Sequence, residues 1–100
     1  MPAVEIPFNP LGAHVRQTSL GSVYTPAPPS GAGMCVVQAL GANVRFTLDG
    51  TDPSATFGFQ LATGDVERVL PIGSATVLKF IQEAAGAEVQ LQFGNKGAAN

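Results

Sequence analysis

The sequence predicts a small all-β fold: a single antiparallel β-sandwich or barrel of about seven to eight strands with a Pro-rich N-terminal arm. Three observations predict it. Short segments alternate apolar and polar residues with period two, which puts one face of a strand in a core and the other in water. Turn-forming residues separate those segments at intervals of about 8–12 residues, the spacing of a sandwich or barrel. The one helix-like stretch, Phe80 to Ala87, is limited by Gly86.

The alternation is strictest in Val44-Arg45-Phe46-Thr47-Leu48, in Phe57-Gly58-Phe59-Gln60-Leu61 and in Glu88-Val89-Gln90-Leu91-Gln92-Phe93. It predicts a core of Val44, Phe46, Leu48, Phe57, Phe59, Leu61, Val89, Leu91 and Phe93. Met34 to Leu40 and Val77 to Ile81 are denser apolar runs, expected as strands buried on both faces or partly under a partner. Val66 to Leu70 is a sixth, shorter strand. Val15 to Thr18 and Ser22 to Tyr24 offer one or two more. The reversals fall at Gly41-Ala42-Asn43, Asp49-Gly50, Thr63-Gly64-Asp65, Pro71-Ile72-Gly73 and Ala85-Gly86.

Residues 1–32 differ from the rest. They hold six of the eight prolines, and proline suits arms, edges and turns rather than central strands. Thr25-Pro26-Ala27-Pro28-Pro29-Ser30-Gly31 is expected as an extended, polyproline-like connector. The segment also carries the apolar anchors Val4, Ile6, Phe8, Leu11, Val15, Leu20, Val23 and Tyr24, too many for a solvated tail. Two readings stay open: an arm that docks on a neighbour, or edge strands of the same sandwich. The expected organisation is therefore an arm with edge strands over 1–32, a sandwich core over 33–94 and a flexible tail over 95–100. The residues expected to touch a partner are Val4, Ile6, Phe8, Leu11, Tyr24, Pro26, Pro28 and Pro29.

Charge and chemistry narrow the function. Five basic and seven acidic residues make 12% of the chain, about half the usual share. Low charge fits a surface covered by partners, whose interface cores are charge-depleted, or a plain Gly/Ala-rich bias. The basic residues Arg16, Arg45, Arg68, Lys79 and Lys96 are scattered, which disfavours nucleic acid. No apolar stretch approaches the roughly 20 residues of a membrane span, and the first residues lack the features of a secretory signal. A single histidine, His14, and a single cysteine, Cys35, exclude a His/Cys zinc site within one chain. Asp49-Gly50-Thr51-Asp52 superficially suggests a calcium loop, but the twelfth position holds Gln60 where a bidentate Glu belongs, so a polar turn is expected. No catalytic residues, no cofactor and no metal are expected, and the chain is read as a non-enzyme.

Residues 33–94 resemble small structural proteins of tailed bacteriophages. The resemblance rests on Ala42-Asn43-Val44-Arg45-Phe46, on Asp49-Gly50-Thr51-Asp52-Pro53-Ser54-Ala55-Thr56-Phe57-Gly58-Phe59-Gln60-Leu61, on Gly64-Asp65, and on the later strands Val77 to Ile81 and Val89 to Phe93. It implies a β-sandwich of the virion, a capsid decoration (cement) protein that braces the shell of major capsid protein. A head–tail or tail component, or a receptor-binding module of the virion, is the alternative. The resemblance alone implies a homotrimer, other virion proteins as partners and a place on the capsid exterior after synthesis in the host cytoplasm. A carbohydrate-binding domain is disfavoured by the lack of Trp, the single Tyr, and the expected burial of most Phe residues.

Overall fold

Buried and half-buried residues alternate without a break along Met34–Leu40 and along Glu88 to Phe93, and these two strands pair antiparallel over seven positions, from Met34↔Gly94 to Leu40↔Glu88. They form the centre of the first sheet. The computed structural model describes residues 8–96, and among them the strands are β1 (Asn9–Pro10), β2 (Val15–Gln17), β3 (Met34–Leu40), β4 (Val44–Thr47), β5 (Phe59–Leu61), β6 (Arg68–Pro71), β7 (Lys79–Gln82) and β8 (Glu88–Asn95). The first sheet runs β1-β8-β3-β6, with β2 continuing β1 along the same edge of β8; the second runs β5-β4-β7. All pairings between strands are antiparallel, and the fold is a small all-β sandwich.

The N-terminal segment edges both sheets. Asn9 and Pro10 pair with Asn95 and Gly94, and Val15 to Gln17 pair with Leu91 to Val89. The chain then crosses to the second sheet. Gln82 N–H donates to the Leu20 carbonyl at 3.0 Å, and Tyr24 and Phe80 exchange backbone hydrogen bonds of 2.8 and 2.9 Å. Pro10 fits because an edge strand does not need every backbone donor. Leu20, expected as an anchor of an arm, is fully buried in the core between the sheets. Val4 and Ile6 lie outside the described residues.

From β3 onward the chain changes sheet at every connection except β4 to β5. The core that results contains Leu20, Cys35, Val37, Val44, Phe46, Leu61, Leu78, Phe80, Val89, Leu91 and Phe93. Each large apolar side chain there contributes about 1.5–3 kcal/mol by leaving water. Phe80 joins Phe46 and Tyr24, with ring centroids 6.1 and 6.3 Å apart.

Three expectations need correction. Phe57 and Phe59 are not core: they are 55% and 61% exposed. Phe59 does sit opposite Phe46 on the core-facing side, but it stands at the exposed start of the edge strand β5, and the buried part of that strand is Leu61 two residues on. Leu48 is half-buried, at the point where β4 has ended. Met34 to Leu40 is buried on one face, Cys35, Val37 and Ala39, and half-covered on the other, while Val77 is 40% exposed. In keeping with the all-β expectation, the helix-like stretch Phe80 to Ala87 is strand and turn: Phe80 to Gln82 extend β7 against β4, and a turn with Gly86 at φ +91° leads into β8.

Candidate interaction surface

The structure brings four of the eight residues expected at a partner interface into one place. Leu11, Tyr24, Pro26 and Pro29 line a shallow groove of about 250 Å³, with Phe93 and Val15 also in its wall. Local geometry explains how. Leu11 follows β1, and its N–H donates to the Phe93 carbonyl at 2.9 Å. Gly12, at φ +73°, then turns the chain out of the strand, and the Gln92 side-chain amide lies 3.2 Å from both the Leu11 and Gly12 carbonyls. Tyr24 is fixed by its backbone pair with Phe80. Pro26 is buried, and a turn closed by the Ala32 N–H on the Pro29 carbonyl (3.1 Å) returns the chain to β3.

The groove is apolar and fixed by proline on one wall. Proline offers no N–H, so its positions in this wall have no backbone donor with which to extend a sheet. Burial, and secondarily the nearby Cys35, push the Tyr24 phenol up, so it stays neutral. Pro28 is exposed beside the groove. Phe8 is set apart, its ring lying over Gly94: a Cβ built there would come within 2.5 Å of it.

The chemistry-bearing residues do not converge. Cys35 is buried, and burial pushes its thiol up to about 12, which leaves no reactive thiolate near neutral pH. His14 is exposed with Nε2 2.9 Å from Gln90 Oε1. Asp49 Oδ1 accepts the Thr51 N–H at 3.0 Å, whereas Asp52 turns away to pair with Lys79 Nζ at 2.7 Å. Among the described residues no three His, Cys, Asp or Glu side chains gather as a metal site would require, and no helix is long and apolar enough to cross a membrane.

The charged groups instead tie strands together. Glu88 accepts both Arg16 Nε at 3.0 Å and Arg16 Nη2 at 2.9 Å, which clips the edge strand β2 to β8. Glu83 accepts Gln60 Nε2 at 2.7 Å and Arg45 Nε at 2.6 Å, and Arg45 Nη1 reaches the Gly58 carbonyl at 3.0 Å. Gln60 and then Arg45 hold the Glu83 carboxyl below its ordinary range, and Arg16 and then Gln90 do the same for Glu88. A carboxyl with a depressed folded pKa stabilises the fold above its unfolded value and loses that contribution as pH falls through the folded one. The melting temperature is therefore expected to hold from neutral pH to about 5 and to drop below about 4.3, the ordinary Glu value. Thermal melts against pH, on wild type and Arg16→Met, check this; the variant loses less on acidification.

Comparison with known protein families, curated proteins and solved structures returns no match for this chain.

A second groove, of about 450 Å³, lies at the β4–β5 connection, lined by Phe46, Leu48, Phe57 and Phe59 with Asp49 and Thr51. Sequence reasoning missed it because it placed both exposed phenylalanines in the core. Of its polar groups, the Thr51 carbonyl accepts from the Thr47 hydroxyl, and Asp49 Oδ1 accepts the Thr51 N–H.

Proposed function

We propose that this protein is a non-enzymatic structural component of a bacteriophage virion, a capsid decoration protein that docks on the major capsid shell. The observation that carries a docking role is the groove of Leu11, Tyr24, Pro26 and Pro29, four residues from a segment with no catalytic chemistry, held on a sandwich frame. The resemblance of residues 33–94 supplies the virion as the setting. Proline restrains the groove wall before binding, so less conformational entropy is lost on docking. The same frame and groove suit a head–tail component. Many copies spread over the shell distinguish decoration from a ring at one vertex.

Ala27 lines the groove and is exposed, so Ala27→Glu places a charge in it at little cost to folding. Purified variant and wild type are added to shells assembled without this protein, and binding is read by co-sedimentation. The variant is expected to melt like wild type and to bind at least about tenfold more weakly, the effect of one unpaired charge at a desolvated contact. Equal binding of the two would reject the groove as the docking surface. Failure of wild type to bind any shell or neck assembly would reject the virion reading.

A further inference from the structure

Phe57 and Phe59 line the groove at the β4–β5 connection and stand more than half exposed. Large apolar side chains exposed together mark a surface that something covers. Asp49 is the one charged residue in the lining, and it too is exposed. The cations of the second sheet are already matched: Lys79 Nζ lies 2.7 Å from Asp52 Oδ1, and Arg45 Nε lies 2.6 Å from Glu83 Oε2. Asp49 differs. Its donors are Thr51 and its own backbone, all neutral, and no Lys or Arg among the described residues pairs with it. The Thr51 N–H, first among those donors, holds the carboxyl below its ordinary range, so the groove carries a negative charge at neutral pH.

We propose that this groove takes an arginine side chain of a partner protein, its guanidinium stacked on the exposed rings of Phe57 and Phe59 and paired with the Asp49 carboxylate. Charge complementarity selects this occupant. A purely apolar side chain would cover the rings but strip water from Asp49 and give nothing in exchange, which is costly. An acidic one would be repelled. A cation suits both features, because a ring face is the negative side of its quadrupole and the carboxylate carries a full negative charge. Arginine suits them better than lysine: the planar guanidinium stacks on an aromatic face while its N–H edge reaches a carboxylate. A sugar is the other ligand that exposed rings beside a carboxylate could hold. Its orientation is fixed by several placed polar groups, and both hydroxyls of this lining already donate, Thr47 to the Thr51 carbonyl and Thr51 to Asp49. The site uses nothing of the proline-lined groove and does not depend on the virion reading.

NMR titration of the isotope-labelled protein with N-acetyl-arginine amide tests it, at constant chloride. N-acetyl-citrulline amide is the neutral isostere, and methyl glucoside stands for the sugar. Three variants are compared with wild type. Asp49→Asn keeps an acceptor for the Thr51 N–H and removes the charge, Phe57→Leu keeps apolar bulk and removes the ring, and Glu67→Gln removes an exposed carboxylate outside the groove. Melting temperatures check that all three fold. The arginine amide is expected to shift Phe57, Phe59 and Asp49 signals saturably, with a dissociation constant on the order of 10–100 mM for one side chain. Citrulline is expected to bind at least about threefold more weakly, and Asp49→Asn and Phe57→Leu each to weaken arginine binding at least about threefold. Glu67→Gln is expected to bind as wild type. No saturable shift with the arginine amide overturns the proposal. So does citrulline binding as tightly as arginine, a groove variant binding as wild type, a loss in Glu67→Gln equal to that in Asp49→Asn, or methyl glucoside binding the same residues more tightly.

Discussion

Replacing Phe80 by alanine is expected to cost about 3–5 kcal/mol, the usual range for a buried aromatic truncated in a core. The ring is wholly inaccessible and lies between Phe46 and Tyr24. Its strand also holds the crossing N-terminal segment through the Tyr24 backbone pair, so the cavity opens where the two halves of the chain join. A domain of this size has only about 5–15 kcal/mol in total. At about 4–8 °C per kcal/mol, the melting temperature should fall by roughly 12–40 °C. Phe59→Ala makes the contrast. The sequence pattern puts both residues in strands, but Phe59 is mostly in water and loses chiefly its contact with Phe46, 5.5 Å between centroids. About 1 kcal/mol is expected for it. Denaturant unfolding of both variants measures the difference, and equal losses would mean that the edge of the second sheet is covered after all.

That contrast marks where the sequence is legible. Period-two alternation assigns a residue to a face, and it does so correctly for β4 and β8: Val44, Phe46, Val89, Leu91 and Phe93 are all buried. It does not say whether the opposite sheet extends far enough to cover that face. Phe59 shares the face of Phe46 and is open, whereas Leu61, two residues on in the same edge strand and on the same face, is buried. Where the cover ends is a fact of topology rather than of pattern. The six strands after Gly33 are legible because glycine and aspartate punctuate them, and their observed bounds shift by only one or two residues. The proline count reads truly as a bar to central strands, yet Leu20 and Tyr24 could not be placed from it. Which sheet edge such a segment follows depends on pairings with Gln82 and Phe80, some sixty residues away. The groove was half legible for the same reason. Composition points to Leu11, Tyr24, Pro26 and Pro29, but their meeting at Phe93 needs the register of β8 against the N-terminal edge.

Gly41→Ala is expected to be the most damaging single-methyl change in the fold. Gly41 has φ +82°, a region that costs an L-residue with a side chain about 1–2 kcal/mol. It also begins the turn from β3 to β4, which packs against the turn from β7 to β8 at the same end of the sandwich. A Cβ at position 41 would collide with the Gly86 carbonyl oxygen, a backbone atom that cannot rotate aside. Relief requires the two turns to separate, which strains the hydrogen bond from Glu83 N–H to the Asn43 carbonyl (2.9 Å) and opens the buried Ala87 to water. Forced overpacking of this kind adds about 1–3 kcal/mol, for a total of about 2–5 kcal/mol. Gly64→Ala supplies the control. Gly64 has nearly the same backbone angle, φ +85°, but nothing lies within 4 Å of an added Cβ, so only the backbone cost of about 1–2 kcal/mol applies. The difference between the two variants in denaturant unfolding isolates the contact between the turns. If Gly41→Ala lost no more stability than Gly64→Ala, the turns would not be packed against each other, and this end of the sandwich would be held by its strands alone.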